Sequence, residues 1–113
     1  MRPLKLYIAV LDEFPDYMTP TLVAHAILGA HLKFSGCGLY DQWLRQSFSK
    51  CVVRVNQKEF DKIAALPDTY LGFENTTLEG RNACAIPYPI FGDVPNVLKF
   101  ANLWAPKPER GTE

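Results

Sequence analysis

A carboxylate and two hydroxyls lie close together in the stretch TYLGFENTTLEG, residues 69–80. Glu74 can accept a proton from water, and the hydroxyls of Thr76 and Thr77 can hold that water or a sugar hydroxyl in place. Turn formation is the alternative, since Asn75 and Thr76 both favour turns. The sequence therefore predicts either an acid–hydroxyl site or a simple turn here.

His25 is a second candidate, because an imidazole can exchange protons near neutral pH. It lies in TPTLVAHAILGAH, residues 19–31, a run of apolar and small residues with hardly a polar face. The ring could act as a general acid or base near a pocket, or it could bond to backbone at the edge of the core. His31 should point about 120° away on the same helix, so we expect no two-histidine metal site.

The start of this helix is a candidate anion site. Thr19 is the predicted N-cap, with Pro20 at the first helical position and Thr21 beside it. Unpaired N–H groups at such an end can bind a phosphate or carboxylate, although capping alone can also satisfy them.

Three further residues could face one cleft with Glu74. Asp12 follows the first predicted strand, and it should share a sheet edge with Glu74 if the first and third strands are parallel. Arg81 and Asn82 lie between the acid–hydroxyl stretch and the last strand, where the arginine could also be simply solvated.

Basic residues bear on whether the chain could bind tRNA. The 12 basic and 12 acidic residues give no net charge, and hence no general attraction to nucleic acid or an anionic membrane. A local stripe interrupted by Glu59 and Asp61 could still form, from Lys50, Arg54, Lys58 and Lys62. Trp43 and Arg45 could stack on a base, although Trp43 also fits a core position.

The elements that must position these residues alternate along the chain. Strands are predicted at 4–11, 49–56, 69–75 and 83–90, and helices at 20–33, 39–46 and 57–66. Residues 94–104 favour a turn of helix followed by a short strand. This order predicts a three-layer α/β fold, with a four-stranded mixed sheet and helices on both faces. We expect the small residues of the first helix to pack on the sheet, and its outer side to be covered by the 39–46 helix or a second subunit.

Length and cysteine content fit one domain, residues 1–104, followed by a loose polar tail from 105 to 113. The widely spaced Cys37, Cys51 and Cys84 show no zinc spacing and are expected to be reduced, as in a cytoplasmic protein. No run is long enough to span a membrane, and the N-terminus lacks a leader cleavage site. No metal or cofactor is expected.

The stretch AHAILGAHL, residues 24–32, resembles the Ser-His-Ala-Ala-Leu-Gly-Ala-like run on the first helix of the type II peptidyl-tRNA hydrolase fold. WLRQSFSKCVVRVNQKEFDKIA is similar to the tryptophan-containing helix, second strand and next helix of that family, and TYLGFENTTLEG to its third strand and following loop. The resemblance implies that Glu74 is the family acid, that Thr76 or Thr77 is its threonine, and that His25 assists ester hydrolysis.

The segment before the first helix departs from the family. Its enzymes carry a Gly-Lys-Gly-Lys segment there, whereas this chain has FPDYMTPTL without a lysine. In this respect the chain is more similar to an uncharacterised bacterial branch of the fold, in which a proline-containing loop enters an Ala-His-rich helix. Two expectations follow. The first is a hydrolase of peptidyl-tRNA or a related ester. The second is an inactive member that binds a small ligand or protein partner in the same cleft and could form a homodimer through an edge strand.

Overall fold

The computed structural model describes residues 4–74, 81–90 and 93–107 of the chain. Its strands are β1 (Lys5–Leu11), β2 (Ser49–Val55), β3 (Thr69–Glu74), β4 (Arg81–Pro87) and β5 (Asn102–Leu103). Its α-helices are α1 (Thr19–Phe34), α2 (Gly38–Gln42), α3 (Gln57–Ala64) and α4 (Asn96–Lys99). A 3₁₀ turn, Asp16–Met18, precedes α1, and a π-helical turn, Trp43–Ser47, continues α2.

The sheet is mixed, with the strand order β3-β4-β1-β2-β5. Only β1 and β2 are parallel neighbours, because the chain between them is long enough to cross over through α1 and α2. The pairs β1–β4, β3–β4 and β2–β5 are antiparallel. The strands β1 and β3 are separated by two antiparallel pairings through β4, so they run in the same direction. Asp12, after β1, and Glu74, at the end of β3, therefore lie toward the same edge of the sheet.

The predicted fold class is confirmed, but the strand number is wrong. The sheet has five strands in the described residues, because the short strand predicted after residue 94 pairs with β2 instead of standing apart. The central position of β1 agrees with its nearly unbroken apolar sequence: Leu6, Ile8 and Ala9 are at most 1% exposed.

Helices cover both faces of the sheet. The helix α1 lies on the face of the sheet where Ile8 and Val52 point, and α4 lies on the opposite face, where the alternating residues Tyr7, Cys51 and Val53 point. The helix α3 contacts α4 and buries Phe60 and Ile63 against that second face. An Asn56–Glu59 capping box fixes the start of α3.

The helix α1 lies unusually close to β3. It buries Leu22, Ala26, Ala30 and Phe34, one residue per turn. A Cβ added at Gly72 would lie 2.9 Å from Cβ and 3.1 Å from Cα of Ala26, so the glycine permits this approach. The tight packing expected from the small residues of this helix is therefore present.

One local expectation is wrong. Thr19 is not the N-cap of α1: its φ of −57° and ψ of −44° are already helical, because the preceding 3₁₀ turn runs directly into the helix. Met18 occupies the cap position without a side-chain cap hydrogen bond. Of the tail predicted to be loose, the described residues 105–107 contact the carboxyl end of the parallel strands.

Candidate functional site

His25 lies on the outer face of α1, with its side chain exposed. Ala26, the next residue, is fully buried, so the helix rotation that packs Ala26 turns His25 toward solvent. Within the described residues the His25 ring makes no hydrogen bond. The bond to backbone expected of a histidine at the core edge is therefore not formed, and no partner orients the ring for acid–base catalysis. Thr21 is also exposed, whereas Thr19 is buried.

The carboxyl edge of β1 and β3 holds four further predicted site residues, Asp12, Glu74, Arg81 and Asn82. Glu74 and Arg81 are register partners at the end of the β3–β4 pair. Asn82 is exposed and is the register partner of Phe73 on β3. Asp12 directly follows β1, two strands away from Glu74, which corresponds to roughly 10 Å between backbones. Thr76 and Thr77 lie outside the described residues.

Asp12 takes part in an ionic cluster centred on Arg54. Arg54 Nη1 lies 2.7 Å from Asp12 Oδ1 and 3.0 Å from Asp16 Oδ1, and its Nη2 donates to Asp16 Oδ2 at 3.2 Å. The Lys107 side chain lies 3.1 Å from Asp12, and its backbone N–H donates to Asp16 at 2.7 Å. Residues 104–107, which we call the C-terminal strap, are thereby held across the ends of β1 and β2, with the Trp104 ring 5.0 Å from the Arg54 guanidinium carbon.

This cluster lowers the pKa of both carboxyl groups. Burial pushes the pKa of Asp12 upward, but hydrogen bonds and charge attraction from Arg54 and Lys107 outweigh it, so that the net shift is downward. The pKa of Asp16 is lowered first by its hydrogen bond from Arg54 and then by the Lys107 backbone N–H. The two carboxylates therefore balance the charges of Arg54 and Lys107, and Asp12 is already paired with both cations.

The basic residues suggested for tRNA do not form one stripe. Arg54 is held by two carboxylates. Lys58 and Lys62 lie on α3, on one face of the sheet, whereas Lys50 lines a groove on the other face. Phosphate binding depends on several cations acting together, and these cations are dispersed.

The groove that Lys50 lines runs between α1 and the face of the sheet formed by β1 and β2. Its volume is about 510 Å³. Nearly all of its lining is apolar: Ile8 and Val52 form the floor, Val23, Ala24, Ile27 and Leu28 one wall, and Tyr40, Trp43, Leu44 and Phe48 the other. Leu28 is 66% exposed, so the 39–46 segment does not cover this part of α1, and covering by a second subunit stays a prediction.

Stacked aromatic rings hold the second wall in place. Centroids of Tyr40 and Trp43 are 5.4 Å apart, and those of Trp43 and Phe48 are 5.3 Å apart. Trp43 Nε1 donates to the Ser49 carbonyl at 2.7 Å, and the Tyr40 hydroxyl lies 2.9 Å from His31 Nδ1. Burial raises the pKa of Tyr40, which keeps its hydroxyl neutral. The polar atoms of this wall therefore have partners within the protein.

Lys50 brings a charge to the mouth of the groove. Its Nζ lies 3.3 Å from the Phe48 ring centroid and 5.5 Å from that of Trp43, and it donates to the Phe48 carbonyl at 2.8 Å. It is the only Lys, Arg, Asp or Glu among the described lining residues. No acid in the described ranges pairs with it.

A second cavity of about 560 Å³ lies on the opposite face, between β2 and α4. Its lining includes both an acid, Asp93, and a base, Lys99, together with Tyr7 and the half-buried Cys51. These opposite charges give it no clear preference for a ligand charge. Among the described residues, no group of three or more His, Cys, Asp or Glu side chains could hold a metal ion, and none of the helices could cross a membrane.

A scan against protein-family models gives no match for this sequence, and no curated protein matches it. The geometry of the chain itself is therefore the basis for a functional proposal.

Sequence reasoning missed most of the groove. The sequence assigns Lys50 to a basic stripe and gives Phe48 no role, whereas the core position predicted for Trp43 is confirmed by its 2% exposure. One signal did point to it: the helix from Thr19 has hardly a polar face, and Leu28 and Leu32 remain 66% and 82% exposed in the fold. An apolar helix face without a cover marks a binding surface.

Proposed function

We propose that this protein binds a small, largely apolar molecule in the groove between α1 and the β1–β2 face, without hydrolysing it. The observation that carries the proposal is a concave, almost wholly apolar surface of about 510 Å³, which falls within the size range of small-molecule sites. The exposed side chains of Phe48 and Leu28 flank the groove and can bury such a molecule between them.

The conformation of Phe48 supports a binding role. Its φ is +54°, in the left-handed region that a bulky residue rarely adopts, and its ring is 56% exposed. Phe48 ends the π-helical turn in this conformation, with its N–H donating to the Trp43 carbonyl at 2.7 Å, and its ring is thereby held at the rim of the groove. Strain of this kind is concentrated at binding and catalytic sites.

The ester-hydrolase expectation stays a prediction. It requires Glu74, Thr76 or Thr77, and His25 to act on one substrate, and two of these residues lie outside the described ranges. His25 is exposed and without a described partner, and the basic residues are dispersed. These features favour the non-hydrolytic alternative over peptidyl-tRNA cleavage.

A homologous series of uncharged alcohols tests the proposal. In a Trp104→Phe background, Trp43 is the remaining tryptophan, so its fluorescence reports on the groove. Hexanol, heptanol and octanol should bind about fourfold more tightly for each added methylene, which corresponds to about 0.8 kcal/mol per buried CH₂.

Two leucines of α1 provide a matched pair of variants. Leu28→Gln removes a groove-lining side chain and should weaken octanol binding by about three- to tenfold. Leu32→Gln makes the same chemical change on the same helix at a residue outside the lining, and should leave binding unchanged. Absence of alcohol binding by the wild type would refute the proposal, as would equal loss in the two variants. Sedimentation of the wild type would then show whether a second copy of the chain covers the groove.

A further inference from the structure

We infer that the ligand of the groove is a small amphipathic anion, whose head group is bound by Lys50 while its apolar body lies over Val52 and beside Leu28. This inference rests on the proposed binding function and adds the charge and the orientation of the ligand.

The position of Lys50 on β2 sets the orientation. Lys50 and Val52 are two residues apart on one strand, so their side chains share a face and their Cα atoms are separated by roughly 6.6 Å. Val52 is the register partner of Ile8 on β1. A molecule with its head at Lys50 can therefore extend directly over the apolar floor.

The surroundings of Lys50 keep its ammonium group available. The Phe48 carbonyl accepts one N–H, at 2.8 Å, which leaves two donors of the ammonium group for a ligand. The Phe48 ring, 3.3 Å from Nζ, covers one side of the charge and restricts its position. Without an acid partner in the described residues, the charge at this mouth is complementary to an anion.

Polar atoms of the Tyr40–Trp43 wall already have partners. The Tyr40 hydroxyl pairs with His31 Nδ1 at 2.9 Å, and Trp43 Nε1 donates to the Ser49 carbonyl. A charged head placed beside these residues would lose its water without gaining a charged partner, which is costly. The head group is therefore directed to Lys50.

Three eight-carbon ligands of different charge test this inference, with Trp43 fluorescence in the Trp104→Phe background as the readout. Octanoate should bind about two- to fivefold more tightly than octanol, the range expected for an exposed ion pair, and octylammonium should bind more weakly than octanol. The preference for octanoate should shrink at about 1 M salt, because the screening length falls to about 3 Å.

Lys50→Gln should abolish the preference for octanoate, measured as the ratio of the octanoate affinity to the octanol affinity of that variant. Lys58→Gln is the matched control, since it removes the same charge from α3 on the other face of the sheet, and it should preserve the preference. Equal affinities of the wild type for octanol and octanoate would overturn the anion inference alone, as would a preference that survives Lys50→Gln. Failure of all three ligands to bind would overturn the proposed function as well.

Discussion

Gly72→Ala tests the close approach of α1 to the sheet. The added Cβ would lie 2.9 Å from the Ala26 Cβ and 3.1 Å from the Ala26 Cα. The second atom belongs to the helix backbone, so the clash cannot be relieved by rotating a side chain, and α1 must shift. Overpacking of this kind costs about 1–3 kcal/mol, and the involvement of backbone places Gly72→Ala near the upper end.

The net effect is smaller, because alanine is favoured over glycine within a strand by about 0.5–1 kcal/mol. We therefore expect Gly72→Ala to lower the free energy of unfolding by about 2 kcal/mol. For a chain of 113 residues, about 4 °C of Tm corresponds to each kcal/mol, so Tm should fall by about 8 °C. Thermal unfolding followed by circular dichroism measures this directly.

Gly38→Ala is the matched control. A Cβ at Gly38, the first residue of α2, has no neighbour within 4 Å, and the residue does not have a positive φ. This variant should melt at or slightly above the wild-type temperature. In the double variant Gly72→Ala/Ala26→Gly, the loss should be smaller than the sum of the two single losses, since the Cβ contact is removed. A Gly72→Ala protein that melts with the wild type would refute the α1–β3 packing described here.

Two other predictions concern the strap and the cysteines. Because the folded-state pKa values of Asp12 and Asp16 are lowered, their contribution is fully present above about pH 4 and is lost as pH falls through the lowered values. The protection factor of the Lys107 amide, corrected for the intrinsic exchange rate at each pH, should fall in that acidic range, and Asp16→Ala should lower it at neutral pH; protection that is unaffected by this variant would contradict the contact between Asp16 and the C-terminal strap. A thiol reagent at pH 8 should modify the exposed Cys37 first and leave Cys84 unmodified until the protein unfolds, because burial raises the pKa of Cys84 to about 12. Mass mapping of the modified cysteines checks this order.

Local patterns were sufficient to predict most of the fold. The β1 strand followed from its apolar run, and Pro67 correctly placed the end of α3 before it. The small residues of α1 predicted its tight packing, which Ala26 and Gly72 provide. These features depend on spacing, breakers and side-chain size, which the sequence contains.

The site was less predictable, because it depends on contacts between distant residues. A helix wheel places His25 beside the packed residues, but only the fold shows that its side of the helix faces solvent. Similarly, nothing near Arg54 in the sequence reveals its pairing with Asp12 and Asp16, some forty residues earlier. The role of Lys50 also required knowing which face of β2 remains uncovered.

The groove follows from the width of the sheet and the position of α1. Five strands span roughly 19 Å, whereas one helix covers roughly 10 Å. The helix α1 contacts β3 and β4 more than β1, so the β1–β2 part of that face depends on another cover. On the opposite face, α3 and α4 together supply one. Here the segment after α1 contributes an aromatic wall, which leaves Ile8 buried but Val52 only half-buried. A polar residue at Val52 would be better solvated in an empty groove, so its apolar side chain favours a surface that is occupied during function.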